Sequence, residues 1–471
     1  MSVEEHTLED DARSSAHAPR RSPSLFVVLE AERPAARGAR YSLLGVETVN
    51  LGRGATREGW RSDDGRILDV RVPGKWISSR HAVLRAVGGD WIVEDAGSRN
   101  GTFVNGERVT RAVVREGDLL EVGRIFLTVR GAPADEGPLE RDEDAETPSA
   151  PFGLRTLLPE LEESHAALAR VVKRSAAPIL LLGPTGSGKE VLAREVHAQS
   201  ERPGPFVAVN CGALPKTLVE SMLFGHAKGA FSGAERDEPG FVRAADRGTL
   251  LLDEIGDLPP SSQAALLRVL QEKEVVPVGA TRATKVDVRI VAATHRALPA
   301  LTAAGEFRSD LLARLKGYTH HLLSLHERMA DFGVLLADVL EQVGGPRASK
   351  VTLMPDAARA LLAYGWPHNV RELYQVMGSA MALATEDVIE ARHLPAEVLA
   401  PPPPASVAPA EDADDDVDDG DERALRDRLV LLLQEHRGNV TAVARVMGKG
   451  PTQIHRWTRR FQIDVEAYRK G

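Results

Sequence analysis

The sequence predicts a multidomain chain of three folded parts: an all-β sandwich, an α/β domain on a mainly parallel sheet, and an all-α tail. Three observations carry this. From Leu25 to about Val129, short β-type runs (LFVVLE, VNLGR, HAVLRAV, DWIVED, GTFV, IFLTVR) are parted by Gly, Asp and Asn turns, the pattern of a sandwich. From 153 to 399, apolar strands (PILLLG, FVAVN, TLLLDE, VRIVAAT) alternate with helical patterns, as they do when crossover helices cover a parallel sheet. From 423 to 471, apolar residues recur at helical spacing.

The segments between follow from composition. Residues 1–23 are polar and irregular and are expected to be disordered, which starts the sandwich at 24 and ends it at 131. Residues 132–152, all but the last within GAPADEGPLERDEDAETPSAP, read as a linker to the 153–399 domain. Residues 400–422, within APPPPASVAPAEDADDDVDDGDE, read as a second linker, stiffened by prolines and then self-repelling through its acids.

Length and charge narrow the function classes. At 471 residues, with 43% hydrophobic and 27% charged positions, the chain has ordinary globular composition and room for two to four domains. No apolar run approaches the roughly 18 to 20 residues of a membrane helix. The start, MSVEEHTLEDD, is acidic where a signal peptide is basic and then apolar. The expected location is cytoplasmic, with no membrane partner. Cys211 is the sole cysteine, which excludes an intrachain disulfide and reads as a small buried hydrophobe. Net charge is −9, but residues 411–422 alone hold nine acids. From Arg423 onward there are 11 Lys/Arg and 4 Asp/Glu, a local balance of 11 − 4 = +7, so the tail is basic on its own account.

The chemistry sits in the central domain. ILLLGPTGSGKE sets Gly183, Pro184, Thr185, Gly186, Ser187, Gly188 and Lys189 in GxxxxGK spacing directly after an apolar strand. Backbone N–H groups of such a loop cradle phosphates at a helix N-terminus, and the lysine neutralises the terminal ones. Glu190 stands where Ser or Thr is usual, so the side-chain contact to a metal changes. GTLLLDEIGDL then supplies Asp253 and Glu254 at the end of a second buried strand. One carboxylate can hold a metal ion and the next can polarise a water.

With these motifs in hand, residues 170–399 closely resemble the AAA+ ATPase domain of bacterial enhancer-binding proteins, the NtrC-like activators of sigma-54 RNA polymerase. VNCGAL, LFGHAKGAFSGA, GTLLLDEI, LLRVLQEKEVVPVG, VDVRIVAATHR, EFRSDLLARL and WPHNVREL come in that family's order. The resemblance implies a P-loop ATPase with a helical lid that uses ATP and Mg2+ and works as a hexameric ring. It assigns phosphate to Lys189, magnesium to Asp253, the attacking water to Glu254, and restraint of that glutamate to Asn210. Arg308 and Arg314 resemble the arginines that reach a neighbouring subunit's site, and Arg371 the lid arginine that senses nucleotide. Glu190 fits, because GKE is common there. Arg247, His295 and Lys316 depart from the family's glycine, asparagine and asparagine, and SLHERMADFG is looser than its usual pattern.

GAFSGA, Gly229, Ala230, Phe231, Ser232, Gly233 and Ala234, sets one phenylalanine among residues too small to pack around it. It is similar to the family's GAFTGA loop, which implies a contact to sigma-54 that rises or folds back with nucleotide state. Ser232 keeps the hydroxyl of the usual threonine and loses its methyl.

The sandwich carries NLGRG, ISSRHAV and DAGSRNGTFVNG in turns between its β runs, where such folds display binding residues. Together these resemble the forkhead-associated (FHA) domain. The match implies that Arg53 and Ser78 hold a phosphothreonine, that Ser79 and Arg99 flank it, and that Asn100 binds the peptide backbone. A guanidinium and a hydroxyl suit a dianionic phosphate. His81, Gly101 and Asn105 are expected to brace the loops, and a polar insertion near ATREGWRSDDG lengthens the Arg53 to Ser78 segment.

In the tail, a break at Gly448 to Gly450 precedes Pro451, a residue suited to the first turn of a new helix. The segment is similar to the Fis-type helix-turn-helix that ends many such activators. Ile454 and Phe461 are expected to pack inward, leaving Thr452, Gln453, His455, Arg456, Arg459 and Arg460 toward DNA.

The combined expectation is a transcription activator that binds enhancer DNA and remodels sigma-54 holoenzyme by ATP hydrolysis, under a phosphothreonine protein or Ser/Thr kinase read by the FHA domain. The alternative is a phosphopeptide-gated DNA-binding scaffold or repressor with a vestigial ATPase.

Overall fold

The computed structural model describes residues 21–133, 142–144 and 154–400, with scattered positions between Arg426 and Val465. The chain divides into two units, Met1–Pro402 and Pro403–Gly471.

The first part of the first unit is the expected sandwich. Its strands are β1 (Arg21–Glu30), β2 (Ala39–Ser42), β3 (Thr48–Arg53), β4 (Glu58–Arg61), β5 (Ile67–Val72), β6 (Ala82–Val87), β7 (Asp90–Asp95), β8 (Thr102–Val104), β9 (Glu107–Val109), β10 (Arg111–Val114), β11 (Leu120–Val122), β12 (Ile125–Pro133) and β13 (Glu143–Asp144). One sheet runs β13-β2-β1-β12-β11-β8-β9 and the other β10-β7-β6-β3-β5-β4. Alternate residues such as Leu25, Val27, Val49, Leu51, Leu68, Val70, Leu84 and Val93 meet between the sheets as one core.

Three boundaries differ from expectation. Strand β1 starts at Arg21, which pairs with Pro133, so the irregular segment ends earlier than residue 23; residues 1–20 lie outside the described residues. Strand β12 runs two residues into the expected linker, and β13 pairs with β2 inside it; the rest of that linker, apart from Asp142, lies outside the described residues up to Phe152. The polar insertion forms the edge strand β4, antiparallel to β5.

The α/β part follows with α1 (Pro159–Arg174), β14 (Ile179–Leu182), α2 (Lys189–Gln199), β15 (Phe206–Asn210), α3 (Val219–Phe224), α4 (Gly240–Ala244), β16 (Thr249–Asp253), α5 (Pro260–Glu272), β17 (Glu274–Val275), β18 (Thr284–Lys285), β19 (Arg289–Thr294), α6 (Leu298–Ala303), α7 (Ser309–Leu315) and β20 (Tyr318–His321). Its sheet is parallel throughout, in the order β15-β16-β19-β14-β20. The central strands read as unbroken apolar runs because both faces are covered: Leu250 and Leu252 face one cluster, and Leu251 with Ile179 and Leu181 the other. Consequently the carboxyl ends of β14, β16 and β19 open on one edge, where such sheets bind ligands.

A helical subdomain closes the unit: α8 (Phe332–Gly344), β21 (Thr352–Leu353), α9 (Pro355–Ala363), α10 (Asn369–Leu383), β22 (Val388–Ile389) and α11 (Ala396–Leu399). Phe332, Leu336, Leu361, Trp366, Leu373 and Met377 form its core. In the second unit, Leu429, Leu432, Leu433, Val443, Ile454 and Trp457 are buried together, with Met447 and Phe461 packed against them. The inward placement of Ile454 and Phe461 agrees with the sequence.

Candidate active site

The loop from Gly183 to Gly188 leaves β14 and enters α2 with Gly186 at φ 78° and Gly188 at φ 103°, left-handed conformations that favour glycine. A Cβ on Gly186 would also lie 2.1 Å from the His368 carbonyl oxygen. Lys189 is buried, and its Nζ donates to the Gly183 oxygen at 2.8 Å and the Pro184 oxygen at 3.1 Å. Burial lowers its pKa, while the nearby Glu254 and Asp253 carboxylates act the other way. Ser187 Oγ is buried without a protein partner. The Glu190 side chain turns away to pair with Arg194 at 2.7 Å, although its charge still reaches Asp253.

Asp253 ends β16, and Glu254 follows at φ 51°, a left-handed conformation that a bulky residue adopts only when its surroundings hold it. What holds the carboxylate is the end of the next strand. Its Oε2 accepts from His295 Nδ1 at 2.8 Å, from the His295 amide at 3.4 Å and from Thr294 Oγ1 at 3.3 Å. The family resemblance assigns that restraint to Asn210. It stands opposite Asp253 in the β15/β16 register, and its Oδ1 instead accepts from the amides of Gly212 and Ala213 at 3.0 and 3.2 Å, capping a short turn. Asp253 has its pKa raised by burial and by Glu254, with Lys189 opposing. The raised cost of charge on Asp253, next to a second carboxylate, favours a bound cation.

The helical subdomain leans on the same loop. Asn369 is buried, donates from Nδ2 to the Thr185 oxygen at 2.9 Å, and accepts at Oδ1 from the Leu325 amide at 2.7 Å. Arg371 follows with its amide on the Gly186 oxygen at 3.4 Å, and Arg328 Nη2 reaches the Ser187 oxygen at 3.3 Å. Asn369, Arg328, Thr294 and His295 thus join the site beyond the residues expected there. Asn369 had a visible signal, since it stands two residues before Arg371 in WPHNVREL. Arg308 is exposed and paired with Asp310 at 2.7 Å, and Arg314 is exposed on α7. Among the described residues, neither bonds to Lys189, Asp253 or Glu254.

GAFSGA forms a closed turn between α3 and α4, with the Gly229 amide on the Ala234 oxygen at 2.8 Å and the Ala234 amide on the Phe231 oxygen at 3.0 Å. Gly229 and Gly233 are left-handed. Phe231 is 38% exposed, and its ring lies 4.9 Å from that of His226 at the neck of the loop.

On the sandwich, the residues expected to read a phosphopeptide gather at one edge. The Arg53 amide bonds to the Ser78 oxygen at 2.9 Å, and Ser78 Oγ accepts from the Arg99 amide at 3.2 Å. Asn100 Nδ2 donates to the Trp76 oxygen at 2.6 Å. The Arg53, Ser79 and Arg99 residues are exposed. Beneath them His81 is fully buried, bridging the Ser78 amide and the Gly101 oxygen, and burial lowers its pKa. Asn105 bonds to Asp118 and the Leu119 amide. The bracing roles of His81 and Asn105 follow directly.

Comparison with known proteins bears on this geometry. The Sigma-54 interaction domain family matches residues 158–321, the AAA+ ATPase lid domain 326–410 and the FHA domain 49–123. The chain is 38% identical over 354 residues to the transcriptional regulatory protein GlrR of Escherichia coli (strain K12), covering 72% of each. The chain belongs to the sigma-54 enhancer-binding regulators.

It is also 42% identical to the acetoin catabolism regulatory protein of Cupriavidus necator, covering 66% of this chain and 48% of that one, and 38% identical to the Nif-specific regulatory protein of Azotobacter vinelandii, covering 70% and 63%. The regulator is an AAA+ ATPase with an FHA domain: the matched segments contain Lys189, Asp253, Glu254 and GAFSGA in the first, Asn369 and Arg371 in the second, and Arg53 to Asn100 in the third. Among the described residues, no helix is long and apolar enough to cross a membrane. Thr452, Gln453, His455, Arg456, Arg459 and Arg460 lie outside the described residues.

Proposed function

We propose that the regulator binds enhancer DNA, assembles into a hexameric ring, and spends ATP to carry sigma-54 RNA polymerase to the open complex, under control of a phosphothreonine partner bound by its FHA domain. The observation that carries the motor reading is the intact set of Lys189, at the start of the helix after β14, and Asp253 and Glu254, at the carboxyl end of β16, on one edge of the sheet, with Glu254 held by His295. Lys189 and the loop amides bind the phosphates, and Arg371 closes over them from the lid. Glu254 orients the attacking water and takes up its proton. Asp253, beside a second carboxylate and facing Lys189, has the oxygen chemistry that suits Mg2+, which would offset phosphate charge when bound.

Arg308 and Arg314, exposed on one short helix and its cap, act on the neighbouring subunit's nucleotide in trans, which ties turnover to ring assembly. The basic tail binds DNA through Thr452, Gln453, His455, Arg456, Arg459 and Arg460 in a helix-turn-helix. Arg53 and Ser78 hold the phosphothreonine, with Ser79, Arg99 and Asn100 around it. The test is ATP turnover of the full chain, with and without sigma-54 holoenzyme and enhancer DNA. Turnover coupled to open-complex formation is expected; binding of DNA and phosphopeptide with no turnover would leave a scaffold.

A further inference from the structure

The strand β1 is apolar on both faces. Leu25 and Val27 point into the sandwich core, while Phe26 and Val28, exposed by only 1% and 2%, belong to the core of the helical lid. Phe126 of β12 joins them, fully buried. An outer sheet face that met water would alternate with polar residues. The lid side matches it in shape and charge. Gly333 in α8 comes so close that a Cβ there would lie 2.2 Å from the Val28 oxygen, and the Leu353 amide bonds to the Ala31 oxygen at 2.7 Å.

Charged pairs rim this apolar patch. Arg37 meets Asp338 and Glu341 of α8, both at 2.9 Å. Arg359 of α9 grips Glu121 through two bonds of 2.7 and 3.0 Å and lies over the Phe103 ring. Arg37 is itself held from the sandwich interior. Buried Arg57 donates to the Glu30 carboxylate at 2.7 Å and to the Ala36 and Arg37 oxygens at 2.9 and 3.3 Å, and also pairs with Asp144.

We infer that the outer face of the β1/β12 sheet is the docking surface of the ATPase lid, so that the FHA domain and the lid move as one body and the lid's grip on nucleotide depends on that contact. Domains joined by small polar interfaces move independently by default. Here the shared core is apolar and buried, and the lid elements that touch the FHA domain continue into α10, whose first residues, Asn369 and Arg371, clamp the phosphate loop. A change of state at either end is therefore felt at the other with equal free energy. The inference rests on the nucleotide-site reading and needs nothing from phosphopeptide recognition.

The test uses the full chain, with amide hydrogen exchange and the affinity for a fluorescent ATP analogue as readouts. Arg359→Glu should speed exchange at Leu353 and along 332–341, leave exchange along 249–253 unchanged, and weaken nucleotide affinity several-fold. The double exchange Glu121→Arg with Arg359→Glu should restore both. Gly333→Val should act like Arg359→Glu and more strongly; if that variant fails to fold, the charge pair still decides. Arg111→Glu, the same reversal on the opposite sheet, should change neither readout. Unchanged exchange and affinity in Arg359→Glu, or no recovery in the double exchange, would overturn the inference.

Discussion

Glu254 and His295 are joined by a 2.8 Å hydrogen bond from the imidazole Nδ1 to the carboxylate, across the ends of neighbouring parallel strands. A carboxylate in a left-handed backbone position has few stable poses, and this bond selects one. Glu254→Ala is therefore expected to bind ATP and to lose about 10²- to 10⁴-fold in turnover, the usual span for a general base. His295→Ala should lower kcat by roughly tenfold or more, the worth of one hydrogen bond to a charged group, with KM little changed. His295→Asn should recover part of that loss, because a donor returns. Steady-state ATPase kinetics decide it; wild-type kcat in both alanine variants would remove these two residues from the chemistry.

The pairing could not be read from the sequence. DE after an apolar run and GxxxxGK after another are local patterns, and both strand ends fall where they predict. Which side chain restrains Glu254 depends on the lateral order of β15, β16 and β19: Asn210 ends β15 and His295 follows the end of β19, on opposite flanks of β16. Both have a polar tip of suitable reach; only the three-dimensional placement selects one. In contrast, the docking of the sandwich on the lid had a signal in LFVVLEA, an apolar run too continuous for a strand with one wet face. The polar insertion after Arg53 hid β4, because its alternation is weak and only Trp60 among its residues is a strong β former.

Two buried histidines give the fold an acid limit. His165 and His320 stack with ring centroids 5.5 Å apart. Burial pushes each down to about 4, with Arg328 adding to the effect on His165, and His165 and then His321 to that on His320. Both are neutral when folded, and the unfolded chain takes up their protons first, near pH 6.5. The pair's contribution to stability should hold above that pH, fall as pH drops from about 6.5 toward about 4, and flatten below. Urea midpoints between pH 7.5 and 4.5 measure this. His165→Leu with His320→Leu should shallow the decline, and an unaltered slope would place the acid sensitivity elsewhere.

At the FHA edge, Arg53→Ala should lower affinity for phosphothreonine peptides by about 10- to 100-fold, the range of a charged hydrogen bond. The fold should be unaffected, since the exposed side chain packs against little. Calorimetry with matched phosphorylated and unphosphorylated peptides reads the difference. Equal binding of the two peptides by the wild-type chain would leave that edge a structural one.

The most direct test of the account compares ATP turnover with open-complex formation at a sigma-54 promoter in a single preparation of Phe231→Ala. The Phe231 ring stands partly exposed on a turn that contains none of the phosphate or metal-binding groups. Turnover, ring assembly and DNA binding should therefore persist while open complexes fail to form, and Ser232→Thr, which adds one methyl, should retain both activities. Open complexes forming at the wild-type level in Phe231→Ala would contradict the claim that this loop transmits hydrolysis to the polymerase.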